Sequence, residues 1–375
     1  MQKIKIFTAL LLVLFSVPTK TFAQIPLSDE SKISLLTCGP GKELYSVFGH
    51  TAIRVYDPAT RFDVVYNFGT FDFDTPNFYA KFVKGDLQYF VSASSYNDFV
   101  FTYQYYNRDV FEQVLNLTQQ QKQGIANELA TTLISDKRFY TYKFIHRNCT
   151  TMVADILNRY IPGKISLKNE DLGMTYREII HSKLNGHFFE DLGINLTFGM
   201  PTDKTSEKLF LPEELMQGVA NTTTPLGPLT NGTIEVYKAT PEKTGFSLNN
   251  FYVFALFILL LAALSGKKLM QRSFLAIAGL LGVFFCFVGL YSSHTELIWN
   301  YNILMLNPFY LLLLYFSFKN NFKGILITSY ICIGFLALYS IIMLNKPHLA
   351  ITSPLLLLTI IVVLRNSFTA KKKLA

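Results

Sequence analysis

Five uncharged stretches, residues 244–266, 273–295, 297–318, 324–345 and 347–364, succeed one another in the C-terminal part of this 375-residue chain. Each approaches or exceeds the roughly 18–20 apolar residues that cross a bilayer. A chain with that pattern is not a soluble globule. The basic residues between the stretches give it a direction. Lys267, Lys268 and Arg272 follow the first stretch, Lys319 and Lys323 the third, and Arg365 with Lys371–Lys373 the fifth. The alternate loops carry only Lys346. Basic residues accumulate on the cytoplasmic side, so five crossings are expected, with the preceding domain outside and the tail inside. The fifth stretch contains Pro354 and is the shortest.

The start of the chain demands the same orientation. Lys3 and Lys5 precede the apolar run Ile6–Val17, and Thr21-Phe22-Ala23 offers a small-residue cleavage site, so residues 1–23 read as a secretory signal. An uncleaved anchor is the alternative, and it too exports the residues after it. The formal charge of +8 raises the question of nucleic acid. Between residues 24 and 250, however, 21 Lys and Arg stand against 25 Asp and Glu, a net of −4. The excess flanks the apolar stretches, which is topology and not phosphate recognition. The expected division is therefore an exported domain at 24–245, five transmembrane helices at 246–366 and a basic cytoplasmic tail at 367–375.

Within the exported part, Lys32–Thr37, Thr51–Tyr56, Val64–Phe68, Leu87–Val91 and Val110–Leu117 have strand character, rich in β-branched and aromatic residues. Thr118 is an N-cap for a helix to about Ser135, and Asn148 for one to about Tyr160. Residues 161–245 are rich in turn residues. The fold class expected is α+β.

Cys38 and Cys149 are the two cysteines of the exported part. In an oxidising compartment they can form a disulfide. Their settings differ, though. Cys149 stands in His146-Arg147-Asn148-Cys149-Thr150-Thr151, at the start of a helix. Free amides and the dipole at a helix start favour a thiolate and can hold an oxyanion. Cys38 precedes the turn Gly39-Pro40-Gly41. A nucleophilic thiol needs a base, and His50, which follows Gly49 at the head of a strand, is the candidate, although such a histidine is as often structural. Asn67 on the neighbouring strand would orient it, with Asp63 as runner-up. His146 is a neighbour of the thiol rather than its base. No Cys or His pair has zinc-ligand spacing, and neither a metal nor a cofactor is expected.

A strand-borne His ahead of an Asn-Cys helix is similar to the circularly permuted papain-like enzymes, the permuted NlpC/P60 group among them. Thr37-Cys38-Gly39-Pro40-Gly41, Phe48-Gly49-His50-Thr51-Ala52-Ile53-Arg54-Val55, Tyr66-Asn67-Phe68-Gly69-Thr70-Phe71, Asn148-Cys149-Thr150-Thr151 and Phe210-Leu211-Pro212-Glu213-Glu214-Leu215, in that order, resemble the periplasmic domain of the Lnb-type lipoprotein N-acyltransferases of Bacteroidota. The resemblance spans about residues 26–245. It implies a circularly permuted papain-like (NlpC/P60-like) domain ahead of the membrane helices, in the bacterial inner membrane. It also implies His50 and Cys149 as catalytic pair, phospholipid as acyl donor and diacylated lipoprotein as acceptor. The match of the Cys38 turn implies a structural role for Cys38. A periplasmic cysteine peptidase or peptidoglycan amidase shares the same chemistry up to the acceptor, and a non-catalytic membrane assembly protein is the reading from another class. The loop His294-Thr295-Glu296-Leu297-Ile298-Trp299-Asn300-Tyr301-Asn302 is expected on the side of the catalytic pair. Its aromatic residues suit a membrane interface. Its His294, Glu296 and Asn302 are expensive beside a bilayer without a purpose, and they suggest the lining of a lipid access path.

Overall fold

The computed structural model describes residues 26–165, 172–241 and 245–375; the secretory signal expected at 1–23 lies outside them. An antiparallel sheet organises the exported part. Its strands are β1 (Lys32–Cys38), β2 (His50–Asp57), β3 (Phe62–Thr70), β4 (Gln88–Ser95), β5 (Val110–Val114), β6 (Phe139–Thr141) and, after the two-residue strands β7 (Thr223–Thr224) and β8 (Gly227–Pro228) of a separate hairpin, β9 (Ile234–Tyr237). The spatial order is β6-β4-β3-β2-β1-β5-β9. The period-two alternation of strands then sorts side chains onto two faces. Ile33, Leu35, Ile53, Val55, Tyr66 and Phe68 pack against α3 (Gln119–Ile134) and α4 (Cys149–Tyr160), through Ile125, Leu129, Val153, Ile156 and Leu157. Leu36, Cys38, Ala52 and Val65 face the other way, onto Phe99 of α2 (Tyr96–Tyr105). The chain is thus α+β in its exported part.

Two helix starts are set by local chemistry. Thr118 and Asn148 both close capping boxes, with Gln121 and Thr151 returning the hydrogen bond. A short helix, α1 (Phe78–Lys84), lies between β3 and β4.

The turn-rich segment 161–245 forms helices among its described residues. It contains α5 (Tyr176–Ser182), α6 (Phe188–Thr197) and α7 (Pro212–Asn221). These are short and are fixed by separate cores: Ile179, Ile180 and Leu184 of the α5 region meet Val47, Ile145, Phe210 and Leu211, Leu192 of α6 joins the core of the C-terminal helices, and Leu215 and Val219 of α7 join the main sheet core. Tertiary packing rather than strong periodicity makes them helical.

The C-terminal region comprises α8 (Phe251–Leu264), α9 (Lys268–Tyr291), α10 (Phe309–Lys319), α11 (Phe322–Met343) and α12 (Leu349–Leu374). Among the described residues, four segments are long and apolar enough to cross a membrane: Lys268–Tyr291, Thr295–Lys319, Phe322–Met343 and Leu349–Leu374. Two of the five expected stretches are not single long helices. At 14 residues α8 extends only about 21 Å, short of the roughly 30 Å hydrocarbon core. The stretch 297–318 is not one helix either, since regular α-helix begins at Phe309 and two 3-10 turns precede it. The asparagines there divert the backbone: Asn300 Oδ1 accepts from the Asn302 amide, and Asn307 and Pro308 set the start of α10. The basic residues Lys371–Lys373 lie in the last turn of α12.

The exported domain is locked to these helices through residues 292–302. Glu296 Oε1 accepts from Ile145 N–H at 3.0 Å, and Glu296 O from Gly199 N–H at 2.7 Å. Asn300 Nδ2 donates to Leu196 O and Thr197 O, and Asn302 Nδ2 to Asn195 O and Leu196 O. The fit is tight enough that a Cβ on Gly199 would stand 2.0 Å from Ile298 O. Buried Arg177 bonds Asp203 at 2.6 Å, and Lys346, from the loop before α12, bonds the other oxygen of the same carboxylate at 2.6 Å. Burial pushes the Asp203 carboxyl up, but the Arg177 and Lys346 cations hold it below the usual carboxylate range.

Candidate active site

Cys149 is the first residue of α4, where the amides of the first turn have no helical acceptor. Asn148 Oδ1 caps Thr151 N–H, and the first i→i−4 bond runs from Met152 to Asn148. The Cys149 amide lies ahead of that bond. The Asn148 side chain is itself anchored, donating to Phe144 O and Phe210 O at 2.6 and 2.8 Å. The half-buried thiol is therefore mounted on a fixed helix end.

That end meets the sheet where β2 begins and β3 finishes. Strand pairing sets Cys38 opposite His50 and Asn67 opposite Ala52. Alternation then puts His50 and Asn67 on one face, and Asn67 Oδ1 accepts from His50 Nε2 at 3.3 Å. The Nδ1 nitrogen remains for the thiol. Residue 51 points to the opposite face, where its hydroxyl meets that of Thr150 at 3.0 Å and joins strand to helix. The site is thus assembled at the sheet end from groups on both faces.

The thiol responds to this setting. Burial alone pushes the Cys149 thiol up. The positive charge and hydrogen bond of His50, the Thr51 amide and the Thr150 hydroxyl outweigh burial and bring it below the ordinary thiol value. Cys38 behaves in the opposite way: burial pushes its thiol far up, despite Arg108 and a hydrogen bond from Tyr103. Both cysteines are free thiols.

The structure brings together Cys149, His50 and Asn67 and separates them from the other candidates. Asp63 is committed to Arg54, with both carboxylate oxygens at 2.7 Å from the guanidinium. His146 is exposed and has its ring 6.3 Å from that of Tyr176. The loop residues expected to line a lipid path are spent on the joint between domain and helices. Glu296 and Asn302 are buried in the bonds described above, and His294 Nε2 bonds Phe82 O at 2.8 Å. Loop composition signals a cost there, and the cost is met by protein partners.

Three contributors escaped the sequence reading. Tyr103 stacks on His50, with ring centroids 6.4 Å apart and planes 13° from parallel. Gly69 lies at a shift in the β3–β4 register with φ of 89°, a conformation that favours glycine. A Cβ at Gly69 would stand 3.6 Å from Cys149 Cβ, 3.9 Å from Tyr140 Oη and 4.0 Å from Cys149 N. Tyr140 is 2% exposed, and its hydroxyl lies against the Gly69 backbone without meeting hydrogen-bond geometry to any described residue. The absent side chain leaves a hollow bordered by the thiol, a helix-start amide and an unpaired phenol. Only a Tyr-Thr-Tyr alternation marked Tyr140 in the sequence, and that is ordinary for a strand.

Residues 21–182 match the family model described as the Lnb N-terminal periplasmic domain. The match takes in the sheet from β1 to β6, the Cys149 helix and α5. That part of the chain is thus similar to an Lnb-type periplasmic domain, and with the apolar helices it supports an inner-membrane protein. Comparison with curated proteins and with solved structures returns no match.

Proposed function

We propose that the chain is a thiol acyltransferase that moves an acyl chain from phospholipid through a Cys149 thioester to the N-terminal amine of diacylated lipoproteins. The observation that carries this reading is a thiol at a helix start, in contact with a His that Asn67 holds, on a domain fixed to membrane helices. In the first half, His50 Nδ1 takes the thiol proton and the thiolate attacks an ester carbonyl of the phospholipid. The oxyanion that forms is received in the hollow over Gly69, by Cys149 N–H and Tyr140 O–H. Collapse breaks the bond to the glycerol oxygen, which takes the proton from the His50 imidazolium and leaves as lysophospholipid. In the second half, the lipoprotein amine attacks the thioester, His50 accepts its proton, the thiolate departs and an amide remains. Both substrates are lipid-anchored, so a catalyst held at the bilayer spares them leaving it.

The order of a His-bearing strand before a Cys-bearing helix supports a circularly permuted papain-like arrangement. For topology we propose that α8, with flanking residues, completes a fifth crossing and that the C-terminus is cytoplasmic. The nine-to-one division of basic residues between alternate loops supports this. In a bacterium depleted of its own N-acylating enzyme, the chain should add one acyl chain to the N-terminal Cys of a reporter lipoprotein, read by mass spectrometry. A reporter left diacylated while peptidoglycan stem peptides are cleaved would make the chain a hydrolase.

A further inference from the structure

Helix α1 turns an apolar face outward. Tyr79, Phe82 and Val83 are 76, 44 and 38% exposed, and their i, i+3, i+4 spacing puts them on one side. Phe73, just before the helix, is exposed as well. Such a face on a short helix gains nothing in water.

Its height above the membrane is set by hydrogen bonds. Ser292 Oγ donates to Val83 O at 2.7 Å, and Ser293 N–H to Lys84 O at 2.8 Å. His294 Nε2 bonds Phe82 O at 2.8 Å. These partners are the first residues after α9, whose end leaves Leu290 and Tyr291 exposed for lipid. The Lys84 ammonium lies 5.7 Å from the Tyr291 ring centroid. The outward face of α1 is therefore continuous with the lipid-facing surface of α9, at the level where that helix leaves the hydrocarbon.

The inward face leads to the site. Phe78 meets Phe73 and Phe71 with ring centroids 4.9 and 5.9 Å apart, and Phe71 meets Tyr89 at 5.2 Å. Tyr89 stacks on Tyr142 at 4.5 Å. Phe71 is two residues from Gly69, which borders the thiol. A series of aromatic contacts thus runs from α1 to the strand that carries Gly69.

We infer that α1 is an interfacial lipid-docking helix, seated through Tyr79, Phe82 and Val83 in the leaflet that the periplasmic domain faces. It guides a phospholipid chain along Phe73, Phe78 and Phe71 toward Cys149. The seat holds whatever Cys149 does; that the guided lipid is the acyl donor rests on the function proposed above.

The test uses the full chain in phosphatidylcholine vesicles whose acyl chains are brominated near the glycerol. Trp299, the single tryptophan, is replaced by Phe, and Tyr79→Trp or Thr60→Trp is introduced. Thr60 lies in the turn between β2 and β3, beyond the strand end opposite His50. Fluorescence from Tyr79→Trp should fall at least twofold relative to unbrominated vesicles, and that from Thr60→Trp should not change. Equal, weak quenching at both positions overturns the inference. So does a blue-shifted Tyr79→Trp emission without bromine quenching, because a second protein copy would then cover the face. Quenching is read without turnover. A seated helix with an inert Cys149 removes the acyl-transfer reading alone, and an active Cys149 with an unquenched α1 removes this inference alone.

Discussion

The sheet end around Cys149 and the joint around Glu296 are built from similar residues, yet they use hydrogen bonds in opposite ways. In the joint, Glu296, Asn300 and Asn302 spend their polar atoms on the backbone of 145 and 195–199. Around Cys149, polar capacity is left over. The helix-start amide precedes the first helical bond, the Tyr140 hydroxyl has no partner among the described residues, and one His50 nitrogen faces the thiol. Satisfied polar groups rigidify, whereas unsatisfied ones wait for a substrate. Substitutions in the site should therefore lower activity without lowering stability, and substitutions in the joint should do the reverse.

The largest effect belongs to the site. Cys149→Ala or His50→Ala should each lower acyl transfer on the order of 10⁴-fold or more, because nucleophile and base act as a unit. Thermal unfolding should stay near that of the parent. A variant that unfolds readily would make Cys149 a packing residue and erase the contrast.

Next is Arg177→Ala, which leaves the Asp203 carboxylate to Lys346 alone and takes the donor from Phe198 O and Gly199 O at the joint. Breaking one partner of a buried pair costs about 3–5 kcal/mol. Denaturant unfolding should show that loss while Cys149 keeps its alkylation rate in the folded fraction.

Tyr140→Phe removes one hydroxyl and little packing. Loss of one oxyanion donor costs about 10²–10³ in turnover, so kcat should drop with stability unchanged or slightly improved, since a buried unpaired hydroxyl is lost. Unchanged kcat would empty the hollow over Gly69 of its role.

The smallest effects come from pH. Cys149 alkylation by iodoacetamide should have its midpoint below the ordinary thiol value, and Cys38 should stay unreactive in the folded chain. Asp203 titrates the joint. Its folded value lies below its unfolded one, so its contribution is full above the unfolded value, about pH 4, and is lost as pH falls through the folded value. Acid below about pH 4, and not milder acid, should thus loosen the joint.

Strands β1 to β3 and both capped helices were legible because their signals are local. Alternation marked the strands, and Thr118 and Asn148 announced helices that begin one residue later. That Cys149, His50 and Asn67 lie together was readable for a related reason, since strand adjacency brings Asn67 beside His50. Helices α5 to α7 were not, because the cores that hold them join residues far apart in sequence, as Ile179 joins Val47 and Leu215 joins Leu35. The joint misled for the same cause. A buried Glu or Asn beside a membrane looks functional until its partners, here Ile145 and Asn195, are known. Tyr140 carried no signal, because an unsatisfied hydroxyl is a property of three dimensions only.

The contrast between the two regions comes down to whether Cys149 is chemically spent or available. Intact-mass analysis of the purified full chain incubated with phospholipid decides it. An added mass of one acyl chain, mapped to Cys149, removed by hydroxylamine and missing from Cys149→Ala, is the expected result. An unmodified Cys149 in protein that still transfers acyl chains, or a disulfide joining it to Cys38 in the active form, would contradict the assignment of Cys149 as nucleophile.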